Sequence, residues 1–387
     1  ALAAHDHTVR ALVEGLSHGR TWYYRFVAPD GTVPEFTGRT RTAPAADADA
    51  PARIAFVACQ SFEDGYYGAY RTLIAQDRAG PGIDLVLHLG DQIYETVGYG
   101  RVRNSGPLPS GGRPIRESGE AGAGPVQAAT LADYRHIYRT FLSDPDYREA
   151  RALFPFVSIW DDHEFSNDSW QSVSTYSPDG RADAALKVAA NQAWFEYIPA
   201  RLEADFKPAD VADGQAPAAP TRDDGLADDA DNLAALATLG IYRALRWGRH
   251  VDLVLTDTRS YRSDHAVPDR LGMAVSGSAT YFLPKPLVQL LDAGRLANGG
   301  KPPEMLPLGE KPVPNPRKDS PPGTLLGPVQ KAWLKERLTA SDATWKIIAT
   351  SIPFMPMRLD MQRIDEKATE VVLTADAWDG YMVERNE

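Results

Sequence analysis

The chain has 387 residues, 43% hydrophobic and 24% charged, with a formal net charge of −11. This is ordinary globular usage and excludes wholesale disorder or a fibrous repeat. The acidic balance argues against general binding to nucleic acid or anionic membrane, though a local positive site remains compatible with it.

At roughly 150 residues per domain the length suggests two or three domains, and such a chain buries roughly three quarters of its unfolded surface without staples. A single cysteine, Cys59, makes an intrachain disulfide impossible. No apolar run reaches the ~18 residues of a membrane span. The sequence starts at Ala1 with no initiator Met or signal pattern and stops at Glu387 within ordered-looking sequence. It is therefore read as a fragment truncated at both ends.

In chain order, residues 1–42 read as β, with strand-like stretches at 8–13 and 21–27 and a hairpin turn at Asp30-Gly31. The segment is too short for a sandwich and reads as the last strands of one. Residues 43–52, rich in Ala, Pro and Asp, form a linker. An apolar strand at 53–58, a helix at 67–76 and a strand at 84–89 fit a parallel βαβ unit and an α/β fold. Residues 98–124 read as a long loop, 131–141 as a helix, 156–160 as a third strand and 184–197 as a helix. Residues 203–232 read as a solvated insertion. The segments 242–247 and 250–256 flank a Gly248-Arg249 turn, and 285–321 is Pro/Gly-rich loop around a short helix. A helix at 329–338 and a strand at 345–350 follow, and there is no internal repeat.

Three of these apolar strands end in residues able to bind a metal: Cys59, then Asp91 with Tyr94, then Asp161-Asp162-His163. Ligand sites in open α/β sheets lie beyond the carboxyl ends of strands. Gly90 allows a sharp turn that presents Asp91, a carboxylate able to bridge cations, and Tyr94 is a hard oxygen donor. Alternatively, Asp91 caps a loop and Tyr94 packs. Cys59 alone is most simply a small buried hydrophobe, although its polar Gln-Ser neighbours suit a thiolate ligand. Three acids and a histidine at 161–164 repel or compete unless a cation or hydrogen bonds offset the charge; a solvated acidic turn is the plain alternative. Asn167 adds an amide oxygen suited to calcium. Arg259 either clamps a phosphate or pairs with Asp257 to fix its loop. His5, His7, His18, His136 and His250 read as surface or packing residues.

The ordered set Cys59-Gln60-Ser61, Gly90-Asp91-Gln92-Ile93-Tyr94-Glu95, Trp160-Asp161-Asp162-His163-Glu164, Asp257-Thr258-Arg259-Ser260-Tyr261-Arg262 and Trp378-Asp379-Gly380-Tyr381 resembles the PhoD-type alkaline phosphatase family of calcineurin-like metallophosphoesterases. The resemblance implies an αββα catalytic sandwich at 53–387, preceded by the remnant of a small fibronectin-III-like β-sandwich. It implies Fe3+ and Ca2+ as cofactors, with Cys59, Asp91 and Tyr94 on iron, Asp91 bridging, and Asp162 and Asn167 on the calcium side. His163 matches the histidine that related enzymes place near the leaving group, and catalysis is assigned to His163 and Asp162. The family completes its metal site with a Gly-Asp-x-His type motif beyond Trp-Asp-Gly-Tyr, which the sequence does not reach. The fragment is accordingly expected to bind metal poorly.

The function expected is metal-dependent hydrolysis of phosphomonoesters or phosphodiesters by metal-activated water. The alternatives are a phospholipase D-like phosphodiesterase on the same site and a non-enzymatic extracellular binding module. Small phosphate esters are the expected partners, with no nucleic-acid surface, and family habit places the protein in the periplasm or outside the cell. Oligomeric state is left open.

Overall fold

The structure, a computed structural model, describes residues 3–33, 37–115, 124–176, 180–216, 219–309, 311–363 and 369–387. Near the start, β1 (Thr21–Tyr24) pairs antiparallel with β2 (Gly38–Arg41), Thr21 opposite Arg41. The Asp30-Gly31 turn forms, with Gly31 N donating to the Ala28 carbonyl at 2.8 Å. The strand expected at 8–13 does not. Instead the Arg10 guanidinium donates to the carbonyls of Phe195, Ile198 and Ala200 at 2.6, 2.7 and 2.6 Å. Carbonyls left free at a helix end outcompete a ladder for that segment.

The strand–helix–strand pattern expected from residue 53 onward is present. β3 (Ile54–Val57), α1 (Gly68–Ala79) and β4 (Leu85–His88) are followed by α2 (Leu131–Leu142), α3 (Pro145–Leu153) and β5 (Phe156–Ser158). The strands form a parallel sheet in the order β3-β4-β5, His88 lying opposite both Val57 and Ser158. All four residues of β4 are buried, as a central parallel strand requires. Helix starts follow local chemistry: Thr130 and Asp133 form a capping box on α2, and Asp144 caps α3 with Pro145 in its first turn. Asp183 caps α4 (Ala184–Tyr197) through Leu186 N.

A second sheet is built from β6 (Arg243–Trp247) and β7 (Val251–Leu255), antiparallel about Gly248-Arg249. It is completed, beyond helix α5 (Gly327–Ala340), by β8 (Trp345–Ala349), which runs parallel to β7. Gln330 of α5 exchanges hydrogen bonds with the Asp257 backbone just past β7, at 2.8 and 2.7 Å. Val86 and Leu87 of the first sheet share one apolar core with Leu253, Leu255 and Ala349 of the second and with Tyr134, Tyr138 and Trp194 of the helices. The whole is a mixed α/β structure. No helix among the described residues is long and apolar enough to cross a membrane.

Two segments expected to be plain loop are more ordered. Glu63 gathers residues 98–105 by accepting from the backbone N–H groups of Gly98, Tyr99, Gly100 and Ser105. Residues 116–123 of that loop lie outside the described set. The insertion at 203–232 is largely exposed in its first half, but Ala227 packs with Trp170, Val173 and Ala182. Gln171 then binds the Gly225 carbonyl and Ala227 N, so buried backbone polarity rather than composition decides that stretch. Within 285–321, a helix at Lys285–Asp292 and a short pair, Met305–Leu306 with Val313–Pro314, interrupt the loop.

Candidate metal centre

Because β3, β4 and β5 are parallel, their carboxyl ends deliver Cys59, Asp91 and Asp161–His163 to one edge of the sheet. Past the strands the ladder continues, with Cys59 N donating to the Gly90 carbonyl at 3.3 Å and Gln60 N to the Asp91 carbonyl at 3.1 Å. Cys59 and Asp91 both adopt positive φ, 55° and 54°. Such strained backbone persists only where its surroundings hold it. Gly90 has φ 107°, and a Cβ there would lie 2.5 Å from Asp161 N. Glycine is what lets the second and third strand ends meet.

Glu164 locks the junction by accepting from Asp91 N at 3.1 Å, Gln92 N at 2.5 Å and Asp161 N at 2.8 Å. Around it, Asp91, Asp162 and His163 bring potential ligand atoms within 4.8 Å of one another. The Tyr94 hydroxyl donates to Asp91 Oδ2 at 3.2 Å, and its ring lies 4.1 Å from that of His163. Cys59 is an exposed residue, not the small buried hydrophobe of its plain reading, and its thiol feels the Asp91 charge. Asn167 donates its backbone N–H to Glu95 Oε1 at 2.8 Å. Asp91 Oδ1 is buried and has no hydrogen-bond partner.

The charges around this point are strained as they stand. Burial, then the charge of Asp162, raises the Asp91 carboxyl well above the usual range. Burial and the Asp91 charge push the Cys59 thiol up to about 12 and raise the Tyr94 phenol too. At Asp162 burial also acts upward, but Arg259 and His163 outweigh it and hold the group low. Burial would lower His163; Glu95 and Asp162 overcome it and raise it well above an ordinary imidazole. A thiol, a phenol and an acid that all resist ionising beside an unpartnered carboxylate oxygen form a donor set that a bound cation would relieve.

Glu95 as a partner of His163, and Asp168 and Asp376, were not singled out beforehand. Glu95 is fully buried and its Oε2 lies 2.7 Å from His163 Nδ1; its place directly after Tyr94 was the available signal. Asp168 N donates to Asp162 Oδ2 at 2.7 Å. Arg259, 2% exposed, sits 3.5 Å from Asp162, but its Nε donates to Asp161 Oδ1 at 2.6 Å and its two Nη atoms grip Asp376 at 2.9 and 2.8 Å. Asp257 meets Arg259 through the Arg259 backbone N–H, at 3.0 Å, and not through an ion pair. Arg262 and His265 converge on the same Asp376, at 3.0 and 2.9 Å. Among the histidines read as packing, His136 binds the Ser105 carbonyl and His250 binds Asp49, both at 2.9 Å.

Parallel strand ends that converge on acids, a histidine and a phenol define a candidate metal centre, and comparison with known proteins gives the family. Residues 54–387 match the PhoD-like phosphatase family and residues 1–44 its N-terminal domain. The chain belongs to the PhoD-like phosphatase family. Alkaline phosphatase D of Bacillus subtilis (strain 168) is 28% identical over 380 residues, covering 98% of this chain and 49% of that protein. A solved structure of PhoD superposes with a TM-score of 0.66 at 26% identity, covering 99% of this chain and 56% of the other. The chain thus spans about half the length of these relatives.

Proposed function

We propose that this site hydrolyses phosphate esters, monoesters and diesters alike, with Fe3+ and Ca2+ as its metals. The observation that carries the reading is the meeting of Asp91, Asp162 and His163 within 4.8 Å at the strand ends. Cys59, Asp91 and Tyr94 would hold iron, Asp162 and Asn167 calcium, with Asp91 between the two. Thiolate and phenolate suit the ferric ion, and carboxylate and amide oxygens suit calcium. Metals bound here lower the pKa of water and neutralise charge on phosphoryl oxygens.

In the reaction a water oxygen bonds to phosphorus while the ester P–O bond breaks, its electron pair staying on the alcohol oxygen. His163 supplies the proton which that oxygen takes up, and the proton shed by the attacking water passes to solvent, from which His163 is reprotonated before the next turnover. Glu95 on Nδ1 fixes the ring and leaves Nε2 to face the reacting group. Arg259 and Asp376 act behind the site, holding Asp161 and Asp162 in place. Products are the alcohol and phosphate, or a phosphomonoester from a diester.

The same reading takes residues 1–42 as closing strands of a small β-sandwich, 43–52 as a linker and 53–387 as an αββα catalytic domain. The apolar core shared by the two sheets supports the latter. Export to the periplasm or cell exterior follows from likeness to an alkaline phosphatase. Assay of the protein on p-nitrophenyl phosphate and its bis-ester, before and after chelation, tests the function. Loss of hydrolysis in chelator is expected; undiminished activity would contradict it.

A further inference from the structure

We propose that the cavity beside His163 receives the departing alcohol of the ester and selects alcohols that carry a planar ring, such as nucleosides. The proposal rests on the hydrolytic reading above and names the substrate class of that same site. The cavity has a volume of about 250 Å³ and is walled by Tyr94, His163 and Asn167 on the side of the acid cluster. Tyr99, Arg101 and Tyr176 wall it on the outer side. His163 and Tyr94 belong to both the cluster and the cavity, so an alcohol protonated by His163 departs into this space.

Size and lining then narrow the class. An apolar cavity of about 150 Å³ accepts benzene, so this larger space holds a ring with a sugar attached. Aromatic side chains form part of a wall that also carries Glu63, Asp64 and Arg101: the Tyr94 and His163 rings are inclined by 33° to each other, and Tyr99 and Tyr176 line the same space. Bases stack on such faces at roughly 1–3 kcal/mol each. Arg101 and Asp64 at the rim form only a loose pair at 3.7 Å, 75% and 53% exposed, which leaves the guanidinium able to stack and the carboxylate able to accept from ribose hydroxyls.

The test compares kcat/KM for adenosine 5′-monophosphate and glycerol 3-phosphate, both of which release primary alcohols of similar reactivity. A preference of about tenfold or more for the nucleotide is expected. Tyr99→Ala should abolish most of it, and Tyr99→Phe should retain it. Independently, saturation-transfer NMR on metal-free protein should detect adenosine bound to wild type and Tyr99→Phe but not to Tyr99→Ala. Equal rates on the two esters, or a preference that Tyr99→Ala leaves intact, would overturn the ring selectivity while the hydrolytic reading stands. Hydrolysis of neither ester by metal-loaded protein would count against the hydrolytic reading, and the adenosine measurement would still decide the cavity.

Discussion

His163 Nδ1 lies 2.7 Å from Glu95 Oε2, which joins the buried carboxylate beyond the central strand to a largely buried ring beyond its neighbour β5. Glu95 thereby fixes the ring's orientation and, together with Asp162, raises its pKa. Glu95→Gln should bring the His163 pKa down, read by NMR titration of the imidazole. It should also cost roughly 10- to 100-fold in kcat, within the usual worth of an oriented general acid. An unchanged titration would show that the contact does not tune the ring.

Gly90→Ala should destabilise the fold by about 2 kcal/mol or more, because the left-handed backbone and the contact with Asp161 N both oppose a Cβ. Chemical denaturation measures the cost. A neutral result would mean that the strand ends are not packed through this glycine.

Arg259→Met should cost about 3–5 kcal/mol, since it leaves Asp161 as a buried acid without its cation and removes one of the cations on Asp376. If instead the protein stays stable and only KM for substrate rises, Arg259 touches the phosphate and the internal role assigned to it is wrong.

The pH dependence of the metal-free protein follows from the raised acids. Burial lifts Asp161 from 3.8 to about 6 and Glu164 from 4.5 to about 7, so the folded state resists their ionisation. Stability is therefore fullest below the unfolded values and falls as pH rises through the folded ones. His163, raised above 6.5, adds a contribution lost in the same direction. Asp376 is held below 3.8; burial opposes this, but Arg259 and Arg262 prevail, and its contribution fades only as pH falls through that depressed value. Thermal melts from about pH 5 to about pH 8 should show Tm declining, and added Fe3+ and Ca2+ should flatten the decline.

The strand-end residues could be read beforehand because their signal is local: an apolar run followed at once by Gly90-Asp91 or Asp161-Asp162-His163. Parallel pairing then brings such ends together whatever the loops do. The support behind them could not be read in this way. Arg259 and Asp376 are 117 positions apart, and His265 meets Asp376 across 111, with no periodicity or motif linking them. Arg10 misled for the same reason: its segment alternates like a strand, but its guanidinium finds carbonyls some 185 residues away. Order in 203–232 was hidden because a polar composition does not reveal that Gln171 will bind it.

The central claim is that Asp91 is the hub of a metal centre, and metal retention tests it without reference to turnover. Wild-type protein and Asp91→Asn would be dialysed against Fe3+ and Ca2+, washed, and their bound metal counted by elemental analysis. In protein that carries the downstream Gly-Asp-x-His motif, the account predicts that wild type retains both ions and that Asp91→Asn loses them while keeping its fold by circular dichroism. Equal metal content in the two proteins would contradict it.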